Sequence, residues 1–257
     1  MNPTSPGTAI VTGGAKRIGA ALVRALAADG WHVVIHCNSS VADAEALAAE
    51  LGRAAVVAAD LADPAAAETI IAAACRFVAA GAPPLALLVN SASRFDYDAI
   101  EDFTAETFDR HMAINLRAPA LLARAFAAAL PAADAPALVV NLLDAKLASL
   151  NPDYFTYTLS KIGLGGLTEL IARRYAPRLR CIGIAPAVTL VSGPQSRENF
   201  DAVHGMNPLG VGVTVGDIVA ALRFAIATPT FNAQTLVLDG GQRLLGLPRD
   251  VAYMVTE

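Results

Sequence analysis

Charged residues are scarce in this 257-residue sequence: they make up 16% of the chain, against 55% for hydrophobic residues. Disordered chains show the reverse balance because they lack apolar surface to bury. Long hydrophobic runs are absent as well, since a charge, a proline or a glycine cuts every apolar stretch before the ~18 residues that a membrane span needs. The composition therefore predicts a globular protein without a membrane span.

Cysteine and histidine are also few. The three cysteines are too widely spaced for a CxxC motif or a metal-ligand cluster, and the four histidines form no spaced set. We therefore expect no metal site. We interpret the cysteines as buried free thiols: Cys37, Cys75 and Cys181.

The sequence has no excess of positive charge, because 19 Lys and Arg residues face 23 Asp and Glu residues for a net charge of −4. Proteins that bind nucleic acid usually carry a basic excess that neutralises phosphates. We therefore expect no nucleic-acid partner. Residues 1–7 also lack the basic flank and apolar centre of a secretory signal, which predicts a cytoplasmic protein.

What the sequence does contain is a repeated alternation of short β-rich runs and longer amphipathic stretches rich in Ala and Leu. The runs predict seven strands, over residues 8–12, 31–36, 54–59, 85–90, 137–142, 180–185 and 234–238. The stretches predict helices over residues 18–28, 41–51, 64–80, 104–130, 154–175 and 215–227. Such alternation is typical of a parallel sheet with helices on both faces. We predict a single doubly wound α/β domain of the Rossmann type, spanning residues 1–257.

One connection interrupts this alternation. Residues 188–212 are rich in Gly, Pro, Ser and Asn and show no clear periodicity. A connection of this length is either a functional lid or a poorly ordered loop. Its place after the sixth strand is where a substrate loop would lie.

A glycine-rich turn follows the first strand and opens a helix. In the segment from Thr12 to Gly19, Gly13 permits a tight turn and Gly19 permits close packing of helix on strand. The free N–H groups of a helix N-terminus attract phosphate. The alternative is an ordinary βα turn. The phosphate-binding candidates are Gly13, Lys16, Arg17, Ile18 and Gly19.

The end of the second strand bears on which dinucleotide is bound. An acidic residue there holds the ribose 2′-hydroxyl of NAD, whereas basic or neutral groups accept the 2′-phosphate of NADP. This sequence has no carboxylate before Asp43, and Lys16 and Arg17 lie in the neighbouring turn. NADP is therefore favoured. The candidate residues are His36, Asn38, Ser39 and Ser40, the last two of which are equally suited to N-cap the next helix.

Tyr157 and Lys161 stand four residues apart in a predicted helix, so their side chains share one face. A neighbouring cation favours phenolate, so we expect Lys161 to lower the pKa of Tyr157 toward a range useful for proton transfer. General acid catalysis of this kind typically contributes 10²–10⁴ in rate. The alternative is a chance spacing.

These features together resemble the short-chain dehydrogenase/reductase family over nearly the whole length. The matching motifs are the turn of residues 12–19, Asp60-Leu61, Asn90-Ser91-Ala92, Asn115, Tyr157-x3-Lys161, Pro186 and Leu238-Asp239-Gly240-Gly241. The resemblance implies that Asp60 and Leu61 flank the adenine and that Asn90, Ser91 and Ala92 line the ribose side. It further implies that Asn115 holds a proton-relay water, that Lys161 binds the nicotinamide ribose, and that cofactor contacts extend to Pro186 and Thr189.

Two departures from the family pattern concern the chemistry. Arg17 stands where the family usually has Gly, and Asp144 stands where it usually has the catalytic Ser. A carbonyl reductase builds negative charge on the substrate oxygen, and an ionised Asp144 would repel that charge. Asp144 therefore favours a ring with N–H donors or a ring nitrogen that gains a proton. The alternative is an Asp that only stabilises a loop turn.

This combination is similar to the pteridine reductases and the related dihydromonapterin and alternative dihydrofolate reductases. The resemblance implies NADPH-dependent reduction of a dihydropterin or dihydrofolate, with hydride added to a ring carbon and a proton from Tyr157 added to the ring nitrogen. The implied substrate-binding residues are Arg17, Phe95, Asp144, Tyr154 and Tyr157. Phe95 and Tyr154 are equally compatible with packing roles. The branch also has an Arg after the second strand, where this chain has Ser39.

Two alternatives remain: a general carbonyl or 3-oxoacyl-thioester reductase, and a non-catalytic NADP-binding regulator. The fold alone does not decide between them. Many relatives are tetramers, so the resemblance implies a homo-tetramer. The apolar C-terminal segment, residues 244–255, suits either a subunit interface or a cap on the domain.

Overall fold

The computed structural model describes residues 6–130, 136–193 and 195–255. Seven strands form one parallel sheet in the order β3-β2-β1-β4-β5-β6-β7. Their bounds are β1 Thr8–Thr12, β2 His32–Cys37, β3 Ala54–Ala58, β4 Leu85–Asn90, β5 Ala137–Leu142, β6 Leu179–Pro186 and β7 Thr235–Leu238. The predicted seven-stranded Rossmann-type domain is confirmed. Residues 1–5 lie outside the described residues. They belong to the segment, residues 1–7, that lacks the features of a secretory signal.

Eight α-helices cover the two faces of the sheet within the described residues. They are α1 Arg17–Ala28, α2 Val41–Leu51, α3 Ala66–Ala79, α4 Ala105–Met112, α5 Ala118–Ala129, α6 Phe155–Tyr175, α7 Arg197–Val203 and α8 Val215–Ala227. The single helix predicted over residues 104–130 is divided, because one π-helical turn, Ala113–Arg117, joins α4 to α5. Short 3₁₀ turns span Ala145–Ala148, Gln242–Leu245 and Val251–Tyr253. No helix in the described ranges is long and apolar enough to span a bilayer.

The core lies in two layers, one on each face of the sheet. Neighbouring strand residues point to opposite faces, so Val11 packs with α1, α2 and α8 whereas Ile10 packs with α3, α5 and α6. Cys37 and Cys181 are buried free thiols, as predicted, but Cys75 is exposed. Cys75 lies on α3, where the apolar period places its neighbours, not Cys75, against the sheet.

The strand order places the predicted site at one edge. The strand order runs from β1 to β3 on one side of the sheet and from β4 to β7 on the other, so it reverses between β1 and β4. A crevice opens outside the carboxyl ends of the strands at such a switch point. The glycine-rich turn after β1 and the Asn90-Ser91-Ala92 segment after β4 meet there: the Thr12 Oγ1 atom accepts hydrogen bonds from the backbone N–H groups of Ser91 and Ala92, at 3.0 and 3.1 Å.

Gly19 lets α1 pack closely against this turn. A Cβ atom at Gly19 would collide with the carbonyl oxygen of Gly13, whereas a Cβ atom at Gly216, in the first turn of α8, would meet nothing closer than Thr214 Oγ1 at 3.4 Å. We predict that Gly19→Ala lowers the free energy of unfolding by about 1–3 kcal/mol through overpacking. The matched Gly216→Ala should be neutral or stabilising by up to about 1 kcal/mol. Urea unfolding measures both, and equal effects would contradict the assigned contact.

Candidate active site

A cavity of about 620 Å³ lies outside the carboxyl ends of the strands. The structure brings most of the predicted residues to it. From the glycine-rich turn come Gly13, Lys16, Arg17, Ile18 and Gly19. From the ends of β2, β3 and β4 come His36, Asn38, Asp60, Leu61, Ser91 and Ala92, and after β6 come Pro186 and Thr189. The catalytic and substrate candidates at the cavity are Phe95, Asp144, Tyr154, Tyr157 and Lys161.

Four predicted residues do not border the cavity: Ser39, Ser40, Asn90 and Asn115. Ser40 is the N-cap residue of α2, although its side chain makes no capping hydrogen bond. Asn90 is buried and its Nδ2 atom donates to Asn141 Oδ1 at 2.8 Å, which ties β4 to β5. Asn90 and Asn115 are thus buried, whereas Ser39 is exposed.

His36 holds the glycine-rich turn in place. Its Nδ1 atom accepts from the Gly13 N–H at 3.2 Å, and its Nε2 atom lies 3.0 Å from the Ala59 carbonyl oxygen. These partners require a neutral ring with the proton on Nε2. Burial lowers the pKa of His36, which agrees with the neutral form. The ring therefore links the turn, β2 and β3 without adding charge.

The N-terminus of α1 points its backbone donors at the cavity. Lys16 is the N-cap residue and makes no side-chain capping bond, so the first N–H groups are available to an anion. The Lys16 ammonium forms an exposed ion pair with Asp43 at 3.0 Å. Arg17 has a left-handed backbone, with φ of 52°, and its Nη2 atom donates to the Val191 carbonyl oxygen at 2.8 Å. Arg17 thus connects the turn to the 188–212 loop.

Asp144 and Tyr157 form a direct hydrogen bond at the centre of the cavity wall. The Tyr157 hydroxyl donates to Asp144 Oδ2 at 2.8 Å, while Asp144 Oδ1 accepts from the Lys146 N–H at 2.8 Å and caps the 3₁₀ turn. Asp144 therefore stabilises a turn and also contacts the phenol, whereas its preference for a ring with N–H donors stays a prediction. A hydroxyl has one proton to donate, so this proton is shared by the Asp144–Tyr157 pair.

The predicted lowering of the Tyr157 pKa is wrong in this structure. Burial raises the pKa of Tyr157 well above its ordinary value, and the negative charge of Asp144 raises it further. Lys161 does not offset this because its Nζ atom donates to the Leu142 carbonyl oxygen at 2.6 Å and lies 5.6 Å from the centre of the Tyr157 ring. Burial instead lowers the pKa of Lys161 to about 8, although the Asp144 carboxylate opposes that shift.

Asn115 lies in the π-helical turn and is 1% exposed. Its Oδ1 atom accepts from the Arg94 N–H at 2.8 Å, and its Nδ2 atom donates to the Arg94 carbonyl and to Ser160 Oγ, each at 3.0 Å. The amide therefore joins the segment that carries Phe95 to the helix that carries Tyr157. These are the contacts of a positioning residue, and the role of Asn115 in holding a proton-relay water stays a prediction.

An aromatic cluster forms the wall beside Tyr157. The ring of Phe95 stacks on Tyr154 with centroids 4.3 Å apart and meets Tyr157 edge-on at 4.7 Å. Tyr154 adopts a left-handed backbone with φ of 53°, at the residue before α6 begins. Non-glycine residues pay a conformational cost there. That conformation turns the Tyr154 ring toward the cavity rather than along the helix.

A buried polar chain fixes the start of α6 next to Tyr157. The Asp96 N–H donates to His111 Nε2 at 3.3 Å, His111 Nδ1 lies 2.7 Å from Thr156 Oγ1, and Thr156 Oγ1 donates to Asp98 Oδ2. Asp98 Oδ1 also accepts from the Thr156 N–H at 2.9 Å. These bonds fix Thr156, the residue before Tyr157, and the His111 ring lies 6.3 Å from the Tyr157 ring between centroids. Sequence reasoning missed them because they carry no spacing signal.

Sequence reasoning also missed the contribution of the C-terminal segment. Leu247, Asp250, Val251 and Ala252 line the cavity together with Lys146. Asp153, 4% exposed on its side chain, anchors this segment by accepting from Arg249, with a shortest N···O distance of 2.7 Å. The sequence contains only three lysines, and this scarcity is the one signal that could have identified Lys146 as a candidate. The segment acts as a cap, although Leu244 is 73% exposed.

Comparison with known proteins agrees with this geometry. The chain is 38% identical to FolM alternative dihydrofolate reductase 1 from Brucella suis, crystallised with NADP, with a TM-score of 0.87 over 95% of this chain and 97% of that one. The Brucella canis protein, also complexed with NADP, is 36% identical with a TM-score of 0.88, over 95% and 96% of the two chains. L-xylulose reductase from Mesocricetus auratus is 30% identical over 91% of this chain and 95% of its own.

A family model described as short chain dehydrogenase matches residues 7–201. That range contains the glycine-rich turn, the Asp144–Tyr157 pair and Lys161. The chain therefore belongs to the short-chain dehydrogenase family, as the sequence motifs implied.

Proposed function

We propose that this protein is an NADPH-dependent reductase that converts a dihydropterin or dihydrofolate to its tetrahydro form. The observation that carries the proposal is the 2.8 Å hydrogen bond from the Tyr157 hydroxyl to Asp144 Oδ2 inside the cavity. An acid and a carboxylate at one point suit a ring that both donates N–H hydrogen bonds and gains a proton. The likeness to two FolM alternative dihydrofolate reductases supports this substrate class.

The cavity fits a dinucleotide. A Cβ atom at Gly13 would lie 3.0 Å from the Ala92 Cα atom, so only a glycine leaves the turn open at this point. The uncapped start of α1 offers backbone donors to a pyrophosphate, and Lys161, Pro186 and Thr189 border the opposite part of the cavity. NADPH would supply the hydride. Asn38 replaces the carboxylate expected of an NAD enzyme, which favours NADP.

Asp144 selects against a simple ketone. Reduction of a ketone places negative charge on oxygen in the transition state, and a carboxylate within hydrogen-bond distance of the proton donor would repel it. A C=N bond behaves differently because its nitrogen is protonated as the carbon is reduced and no alkoxide forms. The carboxylate can then accept a hydrogen bond from a ring or amino N–H group.

Tyr157 transfers its hydroxyl proton to the ring nitrogen, and Asp144 orients the Tyr157 hydroxyl through their hydrogen bond. The raised pKa of Tyr157, caused first by burial and then by Asp144, keeps the phenol protonated until substrate arrives. Lys161 supplies the positive charge that offsets the phenolate left behind. Phe95 and Tyr154 form an apolar wall against a flat ring, and stacking of this kind contributes about 0.5–1.5 kcal/mol beyond area burial.

A second candidate function is reduction of a sugar-like carbonyl compound, favoured by the 30% identity to L-xylulose reductase. Asp144 disfavours it for the reason above.

We further propose a cytoplasmic homo-tetramer, and exposed apolar side chains such as Leu209, Leu244 and Tyr253 are available to a subunit interface. Light scattering at several protein concentrations tests the assembly.

Replacing the two reacting side chains tests the proposal. Tyr157→Phe should lower kcat for dihydrobiopterin or dihydrofolate by about 10²–10⁴-fold, the usual contribution of a general acid. Asp144→Ser should lower pterin turnover and raise turnover of a ketone, because it removes the repelling charge. NADPH affinity, measured by fluorescence titration, serves as the control and should stay within about threefold. Unchanged pterin turnover in either variant would exclude the assigned roles.

The pH dependence of kcat/KM reports the charge on Lys161. Its pKa is lowered by burial to about 8, so the ammonium is present below pH 8 and is lost above it. We expect kcat/KM to fall as the pH rises through about 8, while Tyr157 stays protonated. In Asp144→Asn the carboxylate no longer supports the ammonium, so the fall should move to lower pH. A move to higher pH would contradict this electrostatic coupling.

Cofactor choice is tested at the end of β2. Asn38→Asp places a negative charge beside the 2′-phosphate position and should weaken NADPH binding roughly tenfold while leaving NADH binding unchanged. Asp43→Asn is the matched opposite change. It frees Lys16 from its ion pair and should tighten NADPH binding about threefold. Isothermal titration with both nucleotides measures the effects, and a parallel change for NADH would argue against a 2′-phosphate contact.

A further inference from the structure

The cavity contains an ion pair that the proposed reduction does not use. Lys146, from the 3₁₀ turn after β5, and Asp250, from the C-terminal segment, both line the cavity. The Lys146 Nζ and Asp250 Oδ2 atoms are 3.7 Å apart. Hydrogen bonds between N–H and oxygen usually span about 2.7–3.2 Å. The two groups therefore attract each other without forming a direct hydrogen bond.

Each partner has unused hydrogen-bonding capacity. Asp250 Oδ1 accepts from the Ala252 N–H at 3.1 Å, and Lys146 Nζ donates to the Asp153 carbonyl oxygen. Within the described residues, Asp250 Oδ2 accepts no hydrogen bond, and two of the three protons on Lys146 Nζ have no acceptor. An ammonium and a carboxylate that both line the cavity thus lie 3.7 Å apart, and each has hydrogen-bonding positions that no described protein group fills.

The pair is not needed to hold the C-terminal segment. Asp153 already anchors that segment by accepting from Arg249 Nε at 2.8 Å, from Arg249 Nη2 at 2.7 Å and from the Asp250 N–H at 2.7 Å. These bonds use the Asp250 backbone and leave its carboxylate out. Asp250 Oδ1 caps the following 3₁₀ turn, so only its Oδ2 atom has no part in holding the segment.

Burial makes the incomplete pairing costly. The side chains of Lys146 and Asp250 are 7% and 19% exposed, and buried charges require partners. Burial lowers the pKa of Lys146 and raises the pKa of Asp250, although each opposes the shift of the other. A ligand that hydrogen bonds to both groups would relieve this cost.

A hydroxyl group is the complementary ligand. It can accept a hydrogen bond from the ammonium through its oxygen and donate its proton to the carboxylate. A ligand carboxylate would be repelled by Asp250 and a ligand ammonium by Lys146. The Lys146 Nζ atom lies 5.4 Å from the centre of the Tyr154 ring, and Tyr154 stacks on Phe95 beside Tyr157, so the pair lies near the aromatic wall of the cavity.

We propose that Lys146 and Asp250 bind a hydroxyl group on the substrate side chain and so select a pterin with a hydroxylated chain. This inference rests on the proposed pterin reduction and names the substrate that the same site prefers. The pair determines specificity and takes no part in proton transfer.

The test compares two substrates that differ in that hydroxyl. Dihydrobiopterin carries a dihydroxypropyl chain, and 6-methyl-7,8-dihydropterin carries none. We would titrate each into the NADP⁺ complex of the full chain and of Lys146→Met, Asp250→Asn and the control Glu45→Gln, whose carboxylate is exposed on α2. The wild type should bind dihydrobiopterin about tenfold more tightly, as hydrogen bonds to charged groups allow. Lys146→Met and Asp250→Asn should remove most of that ratio and leave the 6-methyl compound within about twofold.

Each outcome decides the proposal. Equal wild-type affinities for the two compounds would overturn it. Equal weakening of both compounds with a lower Tm would also overturn it, because the pair would then act only as a structural clasp. If the preference for dihydrobiopterin holds but NADPH is not oxidised with either compound, the hydroxyl site stands and the proposed reduction fails. If neither compound binds, both fail.

Discussion

The hydrogen bond between Tyr157 and Asp144 is the constraint on which the rest of the site depends. Burial and the negative charge of Asp144 raise the pKa of Tyr157, so the phenol keeps its proton and donates a hydrogen bond to Asp144 Oδ2. On the proposed function, this arrangement would disfavour a forming alkoxide and would suit a ring that donates an N–H hydrogen bond and gains a proton. On the proposed function, charge contributes more than shape to the choice of substrate. The Lys161 ammonium lies 5.6 Å from the centre of the Tyr157 ring, and its hydrogen bond to the Leu142 carbonyl oxygen fixes it to β5.

Several separate elements hold this bond at its length. Asp144 is set by the end of β5 and by its cap on the following turn. Tyr157 is set by the start of α6, which the chain from Asp96 through His111 and Thr156 to Asp98 fixes in turn. Asn115 joins the Phe95 segment to α6 through Ser160. Because these restraints come from β4, β5, α4, the π turn and α6, small shifts at any one element change the donor geometry. This explains why a catalytic pair needs so many buried polar neighbours that never touch the cavity.

The sequence predicts the parts of the site that are local. The order of strands and helices follows from apolar period, and the turn of residues 12–19 and the Tyr157–Lys161 spacing are readable because each lies within one element. The pKa direction of Tyr157 was predicted wrongly because burial, which dominates it, is a property of the tertiary packing. His36 was assigned to cofactor binding, yet its hydrogen bonds to Gly13 and Ala59 depend on strand register. Asp250 lies 106 residues beyond Asp144 in the sequence, and no sequence pattern predicts that the C-terminal segment lines the cavity.

The return of that segment changes the kind of pocket that the fold provides. The doubly wound sheet supplies a nucleotide crevice that is open on the substrate side, and its loops decide what else can enter. Here the Arg249–Asp153 contact brings the C-terminal residues over the cavity, and Arg17 ties the 188–212 loop to the nucleotide turn through Val191. The substrate end is therefore bounded by two segments that are anchored to the cofactor side or to the base of α6. Lys146 Nζ lies 5.4 Å from the centre of the Tyr154 ring, and Asp144 bonds to Tyr157. On the proposed function, the ring and the side chain of a substrate would therefore be recognised by different pairs of residues.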